Sequence, residues 1–193
     1  MIEVKRETKE TQISVKLNLY GSGKSSIDTG VGFYDHMLEA FTKHSHIDMD
    51  IVCKGDTHID DHHSVEDVAI VIAEAFRKAI YPVKNIERFG NATVVMDEAS
   101  ASCDIDLSNR AYLIYEMPTR LMEGKVGNFD VELVEEFFKA FAFNLPLTLH
   151  LVCNRGRNKH HIIEASFKAL AVALRRAVEV NKNAGIPSTK GVL

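Results

Sequence analysis

The sequence predicts an α+β fold built from two pseudo-repeated halves, each a mixed sheet with helices on one face. Short alternating apolar runs, the period of half-buried strands, are interleaved with longer segments of helical spacing. The second of those helical segments opens on "DDHHSVEDVAIVIAEAF" and the last on "NKHHIIEASFKALAV", so that an HHxxE pattern at His62 recurs at His160, 98 positions downstream. Placing one motif over the other superimposes a helix–strand–helix series of each half. The first repeat is expected over residues 1–84 and the second over 85–193, packed as one body.

The elements follow in order. "TQISVKLNLY" carries Ile13, Val15, Leu17 and Leu19 on alternate positions and reads as a strand. "GSGKSS" is a Gly/Ser turn. A phosphate loop would need glycine five residues before Gly23, where Asn18 stands, so that reading is rejected. A short helix is expected over 32–44 and a strand over 46–53; a helix over 62–80 shows its apolar face at Val65, Ala69, Ile72, Ala73 and Phe76 and stops near Pro82. In the second half, strands are expected at 91–99, 101–107, 111–117 and 147–153. Helices are expected over 128–144, opening on acidic residues that suit its dipole, and over 160–180, before a turn-rich tail.

Composition narrows the function classes. Of 193 residues, 46% are hydrophobic and 26% charged, as in ordinary globular chains. A net charge of −4 argues against non-specific nucleic-acid binding. No apolar run reaches the roughly 20 residues that span a bilayer, and the first residues lack a signal-peptide core. Three widely spaced cysteines without a CxxC pair read as free thiols in a reducing cytoplasm.

The histidine pairs point to metal. Successive helical residues diverge by about 100°, whereas i,i+4 pairs share a face. His62 is therefore the natural partner of Glu66 on one ion and His63 belongs to another; likewise His160 goes with Glu164 and His161 elsewhere. Imidazole and carboxylate donors without cysteine suit Mn²⁺, Fe²⁺ or Zn²⁺. The glutamate follows the histidines, so HExxH proteases are poorly supported. Asp56, Asp60 and Asp61 form an acidic cluster before the helix, and Asp67 reads as a solvated helix charge.

"RETKET", "TGVGFYDHML", "DDHHSVEDVAIVIAEAF", "RFG…MDEA", "HHIIEASFKAL" and "PSTKGVL" together closely resemble the imidazoleglycerol-phosphate dehydratases of histidine biosynthesis, over almost the whole chain. The resemblance implies two halves of the ribosomal-protein S5 domain 2-like fold. It also implies a cytoplasmic homo-oligomer of 24 subunits built from trimers, with no nucleic-acid or membrane partner and two Mn²⁺ per active site at subunit contacts. By motif, the metal ligands fall on His36, His62, His63, Glu66, His160, His161 and Glu164. Glu136 stands where the family often has a further ligating histidine; its carboxylate can bind Mn²⁺ instead, or the position goes unused.

The reaction so implied dehydrates imidazole glycerol phosphate to imidazole acetol phosphate. Because no carbonyl stabilises the charge left by the departing proton, two ions each holding one ring nitrogen would give an imidazolate able to expel hydroxide through a diazafulvene intermediate. Glu10 is the candidate for proton transfer, with Glu66 and Glu164 as further catalytic carboxylates. Substrate contacts are implied for Glu10, His36, His44, His62, Glu66 and His160, and for a phosphate cradle of Arg88, Arg110, Lys168, Ser188 and Lys190. Asn109 replaces the family's usual glycine before Arg110 and is expected to tolerate the same left-handed backbone. A metal-storage protein would have no use for the cradle, and a phosphate-ester hydrolase would release inorganic phosphate.

Overall fold

The computed structural model describes residues 1–193, the Leu121 side chain excepted. In chain order the elements are β1 (Ile2–Glu7), β2 (Thr11–Asn18), β3 (Ser25–Asp28), α1 (Gly32–Ser45), β4 (Asp48–Gly55) and α2 (His62–Ile80). Then follow β5 (Phe89–Met96), β6 (Ala99–Asp106), β7 (Tyr112–Glu116), a 3₁₀ turn (Thr119–Leu121), β8 (Lys125–Val126), β9 (Phe129–Asp130), α3 (Leu133–Asn144), β10 (Thr148–Arg155) and α4 (Lys159–Ala177). Two four-stranded sheets share one topology, β1-β2-β4-β3 and β5-β6-β10-β7, while β8 and β9 form a separate ribbon. In each sheet the last strand runs parallel to its neighbour and the other pairings are antiparallel. This matched order is the repeated α+β architecture that the sequence predicts.

Both sheets bury one face. In β2, Ile13, Val15 and Leu17 point inward, as the alternation requires. The helices cross between halves: α1 lies along α4, and α2 lies along α3. His36 near the start of α1 meets Glu164 near the start of α4, and Arg175 donates to the His44 carbonyl at the far ends, so α1 and α4 run parallel. Phe41 and Phe76 meet Phe141 edge to face, and Phe137 packs on Phe167, which closes one continuous core. Gly90 of β5 lies directly under α4, where a Cβ would collide with the Ala173 carbonyl.

Several elements differ from the expectation. The sequence reading omits β1, β3 and the ribbon. Only Val4 of β1 is fully buried and β3 is short and polar, so neither shows an apolar alternation. Helix α3 begins at Leu133 rather than near 128, because Phe129 and Asp130 are taken into the ribbon. Asp67 is not a solvated helix charge: it is 6% exposed and receives hydrogen bonds from Arg6 and Thr11. The "GSGK" turn wraps an internal anion. Asp48 accepts the amides of Ser22 (2.8 Å) and Lys24 (2.9 Å), and these bonds hold its carboxyl below the usual range. The loop's donors are thereby committed to a side chain, in agreement with rejecting a phosphate loop.

Candidate metal centre and active site

Asn158 starts α4. Its Oδ1 accepts the amides of His160 (2.9 Å) and His161 (3.5 Å), which fixes the first turn that carries both imidazoles. The two rings diverge, with centroids 6.2 Å apart and planes at 82°. His160 Nε2 lies 3.1 Å from Glu164 Oε2, which also faces His36 Nε2 at 3.6 Å. One ligand atom from each of His36, His160 and Glu164 lies within 4.8 Å of the others, and among the described residues this is the one such group. Burial pushes the Glu164 carboxyl up, but Lys168 Nζ, 2.7 Å from Oε1, outweighs it with help from His160 and His36, so the carboxyl sits below its ordinary range. Glu164 therefore stays ionised in a largely buried place.

His161 turns to a different partner, Glu98 of the β5–β6 turn, whose Oε2 lies 2.8 Å from Nδ1. Glu98 also accepts the amides of Asn158 and Arg157. The bond to His161 and then that to Asn158 hold its carboxyl down at about 2, while Glu98 raises the His161 imidazole. The first pair behaves alike. His62 and His63 diverge by 85° with centroids 6.2 Å apart. His62 Nε2 sits 3.8 Å from Glu66, whereas His63 Nδ1 lies 3.0 Å from Asp56, which raises its pKa. Glu10, on the β1–β2 turn, is 3.7 Å from His63 Nε2. A carboxylate holding Nδ1–H leaves Nε2 with a free lone pair, the arrangement of a metal-ligating imidazole. Asp56 and Glu98 thus orient His63 and His161.

A cleft of about 720 Å³ opens beside this group, lined by His36, His160, Phe33, Asp61 and the ribbon residues Val126–Phe129. Phe33 stands edge-on to His160 (5.2 Å) and packs on Phe129 (5.1 Å). Asp61, the neighbour of His62, lines the same cleft, but His62, His63 and Glu66 do not join the His36 group.

The expected phosphate cradle is divided. Arg88, with φ 71°, forks onto Asp106 at 2.7 and 3.1 Å and donates to the Pro187 carbonyl. Arg110 approaches the same Asp106 at 4.0 Å, and Asn109 takes φ 55°, the left-handed backbone expected of it. Ser188 follows Pro187 directly, and its hydroxyl accepts the Lys190 amide. Lys168, by contrast, sits on Glu164, and His44 is lowered by burial and then by Lys168 and Arg175. The Arg88 amide donates to the Ala177 carbonyl at the end of α4, whereas Glu164 is thirteen residues earlier, a separation of about 20 Å along the helix. Glu136 is paired with Lys139 at 3.7 Å and does not join the His36 group.

Sequence reasoning named the histidines and glutamates but gave no role to Asp56, Glu98, Asp106 or Asn158. Asn158 carried a readable signal, an N-cap residue just before a helical run. Glu98 and Asp106 are joined to their partners only by the fold.

The family model of imidazoleglycerol-phosphate dehydratase matches residues 29–174. A protein named imidazoleglycerol-phosphate dehydratase from Sulfurovum sp. is 79% identical over 193 residues, the full length of both chains; that from Sulfurimonas denitrificans is 63% identical over the same span. Among solved structures, the dehydratase of Staphylococcus aureus subsp. aureus is 40% identical with a TM-score of 0.82, covering 93% of this chain and 99% of that one. The Pyrococcus furiosus enzyme is 38% identical with a TM-score of 0.85, covering 98% and 100%.

Proposed function

The chain belongs to the imidazoleglycerol-phosphate dehydratase family, a hydro-lyase of histidine biosynthesis, and from that footing we propose how its residues divide the work. The donors fit a hard-to-borderline divalent cation such as Mn²⁺: His36, His160 and Glu164 converge, and carboxylates on Nδ1 prepare His63 and His161. His36, His160 and Glu164 would hold one ion, with His62, Glu66, His63 and His161 completing a two-ion set. Glu136 has the least support as a ligand, since in its own chain it faces Lys139. Bound there, two Mn²⁺ would supply Lewis acidity that stabilises negative charge on the substrate's imidazole ring.

The protein's own groups do the rest. The hydroxyl leaves the carbon attached to the ring, a proton leaves the neighbouring carbon, and the resulting enol becomes the ketone. Glu10 moves that proton: it is half-exposed, and it sits beside His63, so substrate can reach it. Glu164 is kept ionised by Lys168, so its catalytic part is to hold the cation as a carboxylate. Glu66, opposite His62, is the third carboxylate at the reacting end. Arg88, Arg110, Ser188 and Lys190 hold the phosphate, with Asp106 fixing the fork of Arg88. Lys168 faces the ring end instead, whereas His44 lies in the last turn of α1, near Lys168 and Arg175.

One observation carries the quaternary reading. About 20 Å of helix separates Glu164 from the Arg88 end, and a three-carbon chain between ring and phosphate cannot bridge it. Each site therefore takes its cation-binding end and its phosphate end from different copies, in a homo-oligomer that we take to be 24 subunits built from trimers, with two Mn²⁺ per site. The same reading keeps residues 1–84 and 85–193 as the two repeats, supported by their matching strand orders. It places the enzyme in the cytoplasm, consistent with three free cysteines. Among the described residues no helix is long and apolar enough to cross a membrane.

Incubation of the Mn²⁺-loaded protein with imidazole glycerol phosphate tests the assignment. Imidazole acetol phosphate should accumulate without free phosphate; phosphate release would instead favour a hydrolase.

A further inference from the structure

We propose that Asp67 is a positioning residue, acting through Thr11 and Thr8 to hold Glu10 over His63. This rests on Glu10 being the proton-transfer group and names what aims it. Asp67 is buried on α2, four residues after His63 and hence on the same helical face, one turn deeper. Its two oxygens are both used. Oδ1 accepts Arg6 Nη2 at 3.0 Å, and Oδ2 accepts the Thr11 hydroxyl at 2.5 Å.

That second bond fixes the direction of every donor above it. With its proton committed to Asp67, Thr11 Oγ1 can only accept from the Thr8 hydroxyl, 3.3 Å away. Thr8 Oγ1, its own proton spent, then accepts the Glu10 amide at 3.1 Å and the Thr11 amide at 3.0 Å. The Thr8 amide donates to the Thr11 carbonyl and closes the turn. A one-way chain of hydrogen bonds thus runs from the Glu10 backbone through two hydroxyls to a buried carboxylate. Arg6 and Thr11 lie on the strands that flank the turn, so Asp67 clamps both arms of the hairpin. The hairpin is thereby pinned one helical turn below the histidine that Glu10 approaches at 3.7 Å. Glu10 is half-exposed, and among the described residues its carboxylate meets His63 at 3.7 Å without a side-chain hydrogen bond that would aim it, so its placement is inherited from this backbone.

A double-mutant cycle on the Mn²⁺-loaded enzyme separates positioning from mere stapling. Thr11→Val removes the hydroxyl at nearly constant volume and leaves Asp67 and Arg6 paired. It should lower kcat roughly ten- to hundredfold, with KM and bound manganese unchanged within about twofold; Thr11→Ser should restore kcat. In a Glu10→Gln background, Thr11→Val should change kcat by less than about twofold, because the group it aims is gone. Independently of turnover, the Glu10 and Thr11 amides should exchange hydrogen faster in metal-free Thr11→Val and not in Thr11→Ser. Equal losses from Thr11→Val in both backgrounds, or a kcat loss that tracks lost manganese, would overturn the inference. If Glu10→Gln alone abolishes turnover while Thr11→Val does not, the positioning role fails and the reading of Glu10 stands. If Glu10→Gln turns over like the parent, that reading fails and takes this one with it.

Discussion

Replacing Asn158 by alanine should loosen the metal centre without touching a ligand. The side chain accepts two amides, of which His160 at 2.9 Å is a full hydrogen bond and His161 at 3.5 Å is marginal. Removing an N-cap of this kind costs about 1 kcal/mol. For a chain of this length, that corresponds to a fall of about 2–4 °C in the Tm of the metal-free protein. The turn released carries His160 and His161, so part of the same free energy must be restored each time the cation binds. At about 1 kcal/mol this weakens Mn²⁺ binding roughly fivefold. Asn158→Ser keeps an acceptor and should behave like the parent; aspartate is the poorer control, because Glu98 already accepts the Asn158 amide at 2.8 Å. Thermal unfolding of metal-free protein and Mn²⁺ titration, run on all three proteins, provide the measurements. An alanine variant with parental Tm and affinity, or a serine variant as damaged as alanine, would refute the capping account.

The remaining expectations concern the metals and the assembly. His63→Asn and His161→Asn should each lower the manganese bound per chain, measured by elemental analysis; unchanged stoichiometry in both would contradict the division of each pair between two ions. His63 and His161 are raised by Asp56 and Glu98 in the metal-free fold. Their stabilising contribution is therefore fully present below the unfolded value of about 6.5 and is lost as pH rises through the folded values. Metal binding carries the opposite sign, since Nε2 must be deprotonated: Mn²⁺ affinity should begin to fall above pH 6.5 on acidification, and a flat affinity down to pH 5 would count against these ligands. Finally, Arg88→Ala and Glu164→Gln chains should each be nearly inactive alone, yet regain part of the activity when coassembled, because some mixed sites receive both intact ends. A mixture no more active than its components would mean that one chain supplies the whole site.

Much of the fold was legible because its signals are local. Ile13, Val15 and Leu17 alternate, and Val65, Ala69, Ile72 and Phe76 keep helical spacing, so strand and helix follow from neighbours in the sequence. The same holds for the histidine pairs, whose divergence follows from helical geometry. Edge strand β3 has no apolar run to announce it, and the ribbon is held by a Lys125–Asp130 pair and by Phe129 packing on Phe33, which no local pattern encodes. The residues that orient the imidazoles were harder still. Glu98 reaches His161 across 63 positions, and Asp67 reaches Thr11 across 56. Asp67 resembles any acidic residue of an amphipathic helix until the hairpin is seen lying over it. The split of the cradle was illegible for the same reason: spacing cannot tell that Lys168 turns back onto Glu164 while Arg88 is tied to the last residue of that helix.

The crossed pairing of α1 with α4 and α2 with α3 has a consequence for synthesis. As the nascent chain emerges, Phe41 and Phe76 appear long before Phe141, the ring that covers them both. An early half is therefore a sheet with helices whose outer apolar side faces water, sticky to its siblings and to chaperones. Maturation waits on the second half, and a chain cut between them should yield two insoluble fragments rather than two small proteins.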